Sequence, residues 1–266
     1  FGVSCMMEGE AAAAPAPVQQ KGFVELFSET FRFFGSNFVM IASIIFPVFF
    51  LVNIVLPFLQ DYIPDLVGIL GLATGNEYLD DIINDVLGGL LIGIVALIMG
   101  GIAEIALIKA VTDQLLGTPV SLADAFSTGV SLLPFYAITG ILFLIIDGIG
   151  WILLLIPGII IMVYWGFWAM AVVLRDQHTF GAFSYSYRLV SGNFLRILLY
   201  WIALFILIDV VFGVIWDLIS GFIVQGAEGE MVYNATSALA DALWRTVETI
   251  YAIFLIILFL DLEKTR

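Results

Sequence analysis

Four ionisable residues stand where the chain is otherwise apolar: Asp147, Asp209, Arg245 and Glu248. Carboxylates beside a guanidinium can do two kinds of chemistry inside a bilayer. Paired, they form an ion network that pins helices together; facing a wet path, they relay protons or hold cations. At 1.5 Å per residue, Asp209 lies roughly 20 Å in from Arg196, and Glu248 and Arg245 lie roughly 20 and 24 Å in from Asp261. These three share one layer, and Asp147 reaches a similar depth. The first reading is structural, with Arg245 neutralising Asp209 or Glu248; the alternative is a proton or cation pathway. Glu104 lies about one and a half turns from Lys109, so its carboxylate is expected to snorkel to the headgroups and to do no chemistry. His178, beside Arg175 and Asp176, reads as a solvated linker residue.

The elements that carry these residues follow from composition. The 266 residues are 62% hydrophobic with a mean hydropathy of +1.11, more apolar surface than a soluble core of this length could hide. Six blocks reach spanning length: residues 37–59, 87–110, 133–153, 156–174, 195–215 and 237–260. The third and fourth are nearly fused by a tight turn around Leu155 and Pro157. The fold class expected is therefore all-α, a polytopic membrane protein of about six transmembrane helices. Residues 1–21 form an N-terminal tail, 22–262 a single membrane domain and 263–266 a C-terminal tail. Phe1 is not a usual initiator and Met6 and Met7 follow closely, so residues 1–5 are read as lying outside the native chain. The low-complexity run AAAAPAPVQQ, residues 11–20, is expected to be disordered, and it lacks the apolar core of a signal peptide.

Several functions are excluded or disfavoured. The net charge of −14 argues against nucleic acid. A single cysteine, Cys5, and a single histidine, His178, rule out a disulfide framework and multi-His or cysteine metal sites. No cofactor is expected.

Basic residues set the expected orientation. Lys21 and Arg32 precede the first span, Lys109 ends the second, Arg175, Arg188 and Arg196 join the fourth to the fifth, and Lys264 and Arg266 follow the sixth. The opposite loops hold Asp61, Asp65, Glu77, Asp80, Asp81 and Asp85, then Asp217, Glu228 and Glu230, with no Lys or Arg. The positive-inside rule then gives a multi-pass plasma-membrane protein with both termini cytoplasmic.

The chain also repeats. Phe27, Ser28, Arg32, Asn37 and Phe38 match Phe183, Ser184, Arg188, Asn193 and Phe194 in register, and residues 121–127 (SLADAFS) form a weaker third copy. The unit expected is an interfacial amphipathic helix followed by a transmembrane hairpin, used three times, with helices at 27–34, 122–130 and 180–190. The Gly-Asn or Ser-Asn pair would end each interfacial helix, using the left-handed backbone that glycine and asparagine tolerate. In the second span, Gly89, Gly93, Ala96, Gly100 and Ala103 make a small-residue stripe for close helix packing, either internal or with another subunit. Tyr164, Trp165, Phe167 and Trp168 read as an interfacial aromatic belt.

The run Ile156-Pro157-Gly158-Ile159-Ile160, then Ala171-Val172-Val173-Leu174 and Phe180 through Phe194, resembles the membrane domain of the glycerophosphoryl diester phosphodiesterase membrane-domain family. That resemblance covers most of residues 23–260 and implies a six-helix membrane fold. It does not imply phosphodiesterase activity, because in that family the chemistry belongs to a soluble barrel that this chain lacks.

No Walker, Rossmann, zincin or Gly-x-Ser-x-Gly pattern occurs, and no midplane site of broken helices in paired repeats is visible. The function expected is accordingly non-catalytic: a membrane scaffold or accessory subunit that binds membrane lipids and other membrane protein subunits. The alternatives are a small ion or solute transporter using the outer carboxylates, and a membrane module assisting a separately encoded lipid-related enzyme.

Overall fold

The computed structural model describes residues 20–225 and 229–266. The expected tail, with Cys5, and the loop residue Glu228 lie outside the described residues for the most part; only Gln20 and Lys21 of the tail are described. Among the described residues every regular element is helical: α1 (Phe23–Ser36), α2 (Phe38–Asp61), α3 (Ile63–Ile69), α4 (Glu77–Leu115), α5 (Leu122–Leu153), α6 (Leu155–Trp165), α7 (Trp168–Arg175), α8 (Phe180–Val190), α9 (Phe194–Phe205), a π-helical turn (Ile206–Phe212), α10 (Gly213–Gln225) and α11 (Glu230–Lys264). Six helical stretches are long and apolar enough to cross a membrane, and they overlap all six blocks expected from sequence. The protein is a polytopic helical membrane protein.

Local chemistry fixes several helix ends. At the start of α4 the Asn76 carboxamide oxygen accepts the N–H groups of Tyr78 and Leu79 at 3.1 and 3.4 Å, two donors a helix N-terminus leaves unsatisfied. Ser121 does the same for α5, accepting from the Asp124 N–H at 3.2 Å. α4 stops at Gly117, whose φ of +74° is the left-handed conformation glycine adopts without a Cβ penalty. Between α5 and α6 a single extended residue, Leu154, makes the tight turn. There a Cβ on Gly150 would lie 3.1 Å from the Gly158 Cα, so paired glycines let the hairpin arms meet.

α11 is the central post. Of its apolar window 56% is buried, against 22 to 39% for the other spans, and Ile253, Phe254, Ile256, Leu258 and Phe259 are all but inaccessible. α2 and α1 pack along it, α4 packs on α5 and α2, and α6 lies against α5. The outward faces stay apolar and uncovered, as at Leu144, Ile152, Leu199 and Phe222, which suits lipid rather than water as their surroundings.

The first described residues, Gln20 and Lys21, meet the C-terminal end of α11 at one end of the bundle. The Asp261 carboxylate accepts the Lys21 backbone N–H at 3.3 Å and Arg196 Nη2 at 3.2 Å, while Arg196 also donates to the Gln20 side chain and the Lys21 carbonyl, both at 2.5 Å. Nearby, Glu263 takes a forked contact from Arg175 and the Tyr185 hydroxyl. Burial, and then the Glu263 carboxylate beside it, push the Tyr185 phenol up. Within the expected C-terminal tail, residues 263–264 form the last turn of α11.

Other expectations are corrected as well. Residues 27–34 fall within α1 and 180–190 coincide with α8, but 122–130 are no separate helix; they are the first turns of the continuous α5. Asn37 and Asn193 do follow α1 and the α8 turn with nearly the same backbone (φ −119°, ψ 19° and φ −120°, ψ 12°). That backbone is not left-handed, and only Gly192, with φ +91°, uses the positive-φ region. Of the motif side chains, Phe27 packs against Phe23 and Phe31, Ser28 donates to the Glu25 carbonyl, Arg188 donates to Ser184, Phe183 stacks on Trp165, and Arg32 is exposed.

Candidate functional site: a central cavity and two interrupted spans

The fourth span is one crossing in two pieces. α6 ends at Trp165 and α7 starts at Trp168, and the gap is closed by a side chain from another element. The fully buried Ser186 hydroxyl of α8 donates to the Tyr164 carbonyl at 2.8 Å and accepts the Phe167 N–H at 3.1 Å, satisfying backbone groups that a bilayer would leave unpaired. Gly166 sits in the gap, and the Trp201 indole of α9 presses against it; a Cβ there would lie 2.0 Å from Trp201 Cη2. The aromatic set is therefore internal packing rather than a surface belt. Phe167 is completely buried, Tyr164 lies between Tyr187 and Phe194 at 4.8 and 5.1 Å, and Trp168 lies over Tyr136 at 4.7 Å.

The fifth span is interrupted too. Between α9 and α10 the hydrogen-bond ladder widens to a π-helical turn, Ile206–Phe212, with Asp209 at its middle. Such turns are rare and concentrate at functional sites. No site of broken helices was visible in the sequence, and these two irregular places are set by the structure.

These interruptions flank a cavity of about 940 Å³ that all six spans line. α2 contributes Ile45 and Phe49; α4 contributes Gly100, Gly101 and Glu104; Tyr136 and Trp151 come from α5, Ile159 and Met162 from α6, and Trp201, Phe205 and Asp209 from the fifth span. α11 adds Arg245, Glu248 and Tyr251. Room comes from small residues at helical spacing, since Ala96, Gly100 and Glu104 share one face of α4.

The predicted charge network is only partly assembled. Arg245 Nη1 reaches Glu248 Oε2 at 2.8 Å and lies 5.5 Å from the Phe49 ring centroid. Asp209 lines the same cavity, yet among the described residues it forms no ion pair. The π-helical turn sets its direction independently of α11. Asp147 stays outside the cavity lining; it accepts the Trp151 indole N–H at 3.0 Å, one turn along its own helix.

Glu104, to which sequence reasoning gave no role, lines the cavity together with Tyr136, Gly100 and Gly101. Lys109 pairs with Asp113 at 2.5 Å, not with Glu104. The signal was present in the i, i+4 spacing of Ala96, Gly100 and Glu104.

The small-residue stripe divides. Ala103 is fully buried and Gly100 faces Phe49 at 3.8 Å, but added Cβ atoms at Gly89 and Gly93 would meet nothing within 4 Å; the close contacts are at Gly88 and Gly101 instead. The spacings of four and three do keep the stripe on one face of α4, but no neighbouring atom stands against its end at Gly89 and Gly93. His178 is not a free linker residue either: its ring stacks on Phe135 at 4.0 Å. No group of three or more His, Cys, Asp or Glu capable of holding a metal occurs among the described residues.

Six apolar spans around a partly open cavity lined by carboxylates define a polytopic membrane protein with a ligand-sized space between its spans. The chain belongs to the DUF7847 family, a domain of unknown function, whose model matches residues 80–260, from the start of α4 to α11. That match does not extend to the glycerophosphoryl diester phosphodiesterase family that residues 156–194 resemble. No curated protein and no solved structure matches the chain.

Proposed function

We propose that this protein is a non-catalytic membrane module that binds an amphipathic, lipid-like molecule in the chamber between its six spans. The observation that carries this reading is the chamber itself. It has the volume of sites that enclose small ligands, and a mostly apolar wall with a few convergent polar groups. The resemblance of residues 156–194 to a lipid-related membrane domain supports the same ligand class and a role beside a separately encoded enzyme. A diazirine-bearing alkyl amphiphile in reconstituted vesicles is expected to label Phe49, Met162 and Phe205. Labelling confined to outward residues such as Leu199 and Ile152 would count against it.

Two observations favour a second reading, transport of the bound molecule: the break at Gly166 and the π-helical turn at Asp209 are the kinds of interruption from which transporters build midplane sites. The open face of α4 at Gly89 and Gly93 also suits a partner helix, as an accessory subunit would need.

The orientation we propose is both termini in the cytoplasm of a plasma-membrane protein, supported by the basic residues gathered at the end where Lys21 meets α11. In a Cys5→Ser background, cysteine at Asp81 should react with an impermeant thiol reagent in whole cells and cysteine at Gln177 should not. The opposite labelling would invert the topology.

A further inference from the structure

The charges lining the chamber do not balance. Its one guanidinium, Arg245, is engaged by Glu248 at 2.8 Å and by the face of Phe49. Glu104 and Asp209 line the same space with no basic partner among the described residues. Both carboxylates are exposed to that space, so a ligand that fills it strips their water, a cost that a positive charge on the ligand removes.

Aromatic groups accompany both carboxylates. Tyr136 lines the chamber with Glu104, and Tyr251 and Trp201 line it with Asp209; the Trp201 ring is 6.4 Å from that of Tyr251. Trp201 is only 7% exposed, which fixes its ring in the wall. Ring faces beside a carboxylate are the means by which proteins hold organic ammonium groups, which keep an apolar shell that a metal ion lacks.

From this juxtaposition we infer that the chamber's ligand is an organic cation: an amphiphile with a protonated or quaternary amine held by Asp209, Glu104 adding to the negative field of the same wall, and an apolar body along Phe49, Met162 and Phe205. The inference rests on the chamber being an amphiphile site and adds the sign of the ligand's charge. An inorganic cation is disfavoured by the apolar wall and by the lack, among the described residues, of a three-ligand cluster. An anionic headgroup would meet two unpaired carboxylates and a guanidinium already engaged.

The test uses the full chain in nanodiscs of zwitterionic lipid, with two probes that compete against the diazirine amphiphile: decyltrimethylammonium and its neutral carbon isostere. The cation should displace the label from the wild type at about tenfold lower membrane concentration than from the Asp209→Asn/Glu104→Gln double variant. The neutral probe should compete equally in both. Both substitutions keep side-chain size, and a melting curve identifies a variant that fails to fold; the Glu104→Gln single variant, expected to lose part of the preference, then decides. Equal competition by the cation in all proteins overturns the charge inference while leaving an amphiphile site intact. Failure of both probes to displace the label from the wild type, or absence of label in the chamber, overturns both.

Discussion

Gly166→Ala is expected to lower the stability of the purified protein by about 3 kcal/mol, seen as a drop in melting temperature in detergent, and to abolish ligand retention. The added methyl would lie 2.0 Å from Trp201 Cη2, closer than any non-bonded contact, so the indole must leave its place against the break in the fourth span. Trp201 is nearly buried and walls the chamber, so its displacement has no empty volume to move into except the ligand's. The control is Gly89→Ala, where nothing lies within 4 Å. There the change should be neutral or slightly stabilising, since alanine is the better helix former. Trimming the obstruction in Gly166→Ala/Trp201→Leu should recover part of the loss, because the two sites are in contact. Equal effects of the two alanines would mean that the span is not held by this fit.

The second large effect is expected at the end of the bundle where Gln20 and Lys21 meet α11. Asp261 is 6% exposed and takes hydrogen bonds from the Lys21 N–H and Arg196. Asp261→Ala should cost about 2–3 kcal/mol, below the range for a fully buried pair, since the Arg196 side chain keeps 18% of its surface. Truncation leaves the guanidinium enclosed without its counter-charge, and loss of the partner outweighs the loss of the pair itself. Arg196→Ala alone should cost less, and the double variant should cost at least about 1 kcal/mol less than the two singles summed. Differential scanning fluorimetry with limited proteolysis at the N-terminal segment gives both readouts. Strict additivity would show that Arg196 and Asp261 act separately and that Gln20 and Lys21 are held by other contacts.

The parts of the architecture set by local chemistry were legible in the sequence. Runs of about 20 apolar residues have one solution in a bilayer, so the six spans followed. The Arg245–Glu248 pair followed too, because residues three apart share a helix face whatever the tertiary fold. What depends on rotation between helices did not follow. Asp209 sits at the depth of Arg245, yet the π-helical turn sets its direction. Glu104 looked near enough to the basic end to snorkel, but it lines the cavity together with Tyr136. Tyr164 to Trp168 had the composition of an interfacial belt, and only the Ser186 contacts, 19 and 22 residues away in sequence, reveal a broken span with those rings packed around it. The repeat was legible at residues 27–37 and 183–193, where a backbone angle pair recurs, and misled at 122–130, where Ser121 caps a helix that runs unbroken through the expected boundary.

The central claim is that the chamber holds an amphiphile, and native mass spectrometry of the protein extracted in a mild, removable detergent tests it most directly. The wild type should carry an adduct in the mass range of a single lipid-like molecule. Ala96→Phe and Gly100→Leu place new side chains into the chamber, Gly100 having only Phe49 near at 3.8 Å, and should lose that adduct while keeping the wild-type melting temperature without ligand. A wild-type spectrum with no adduct, or an adduct retained unchanged by both chamber-filling variants, would contradict the account.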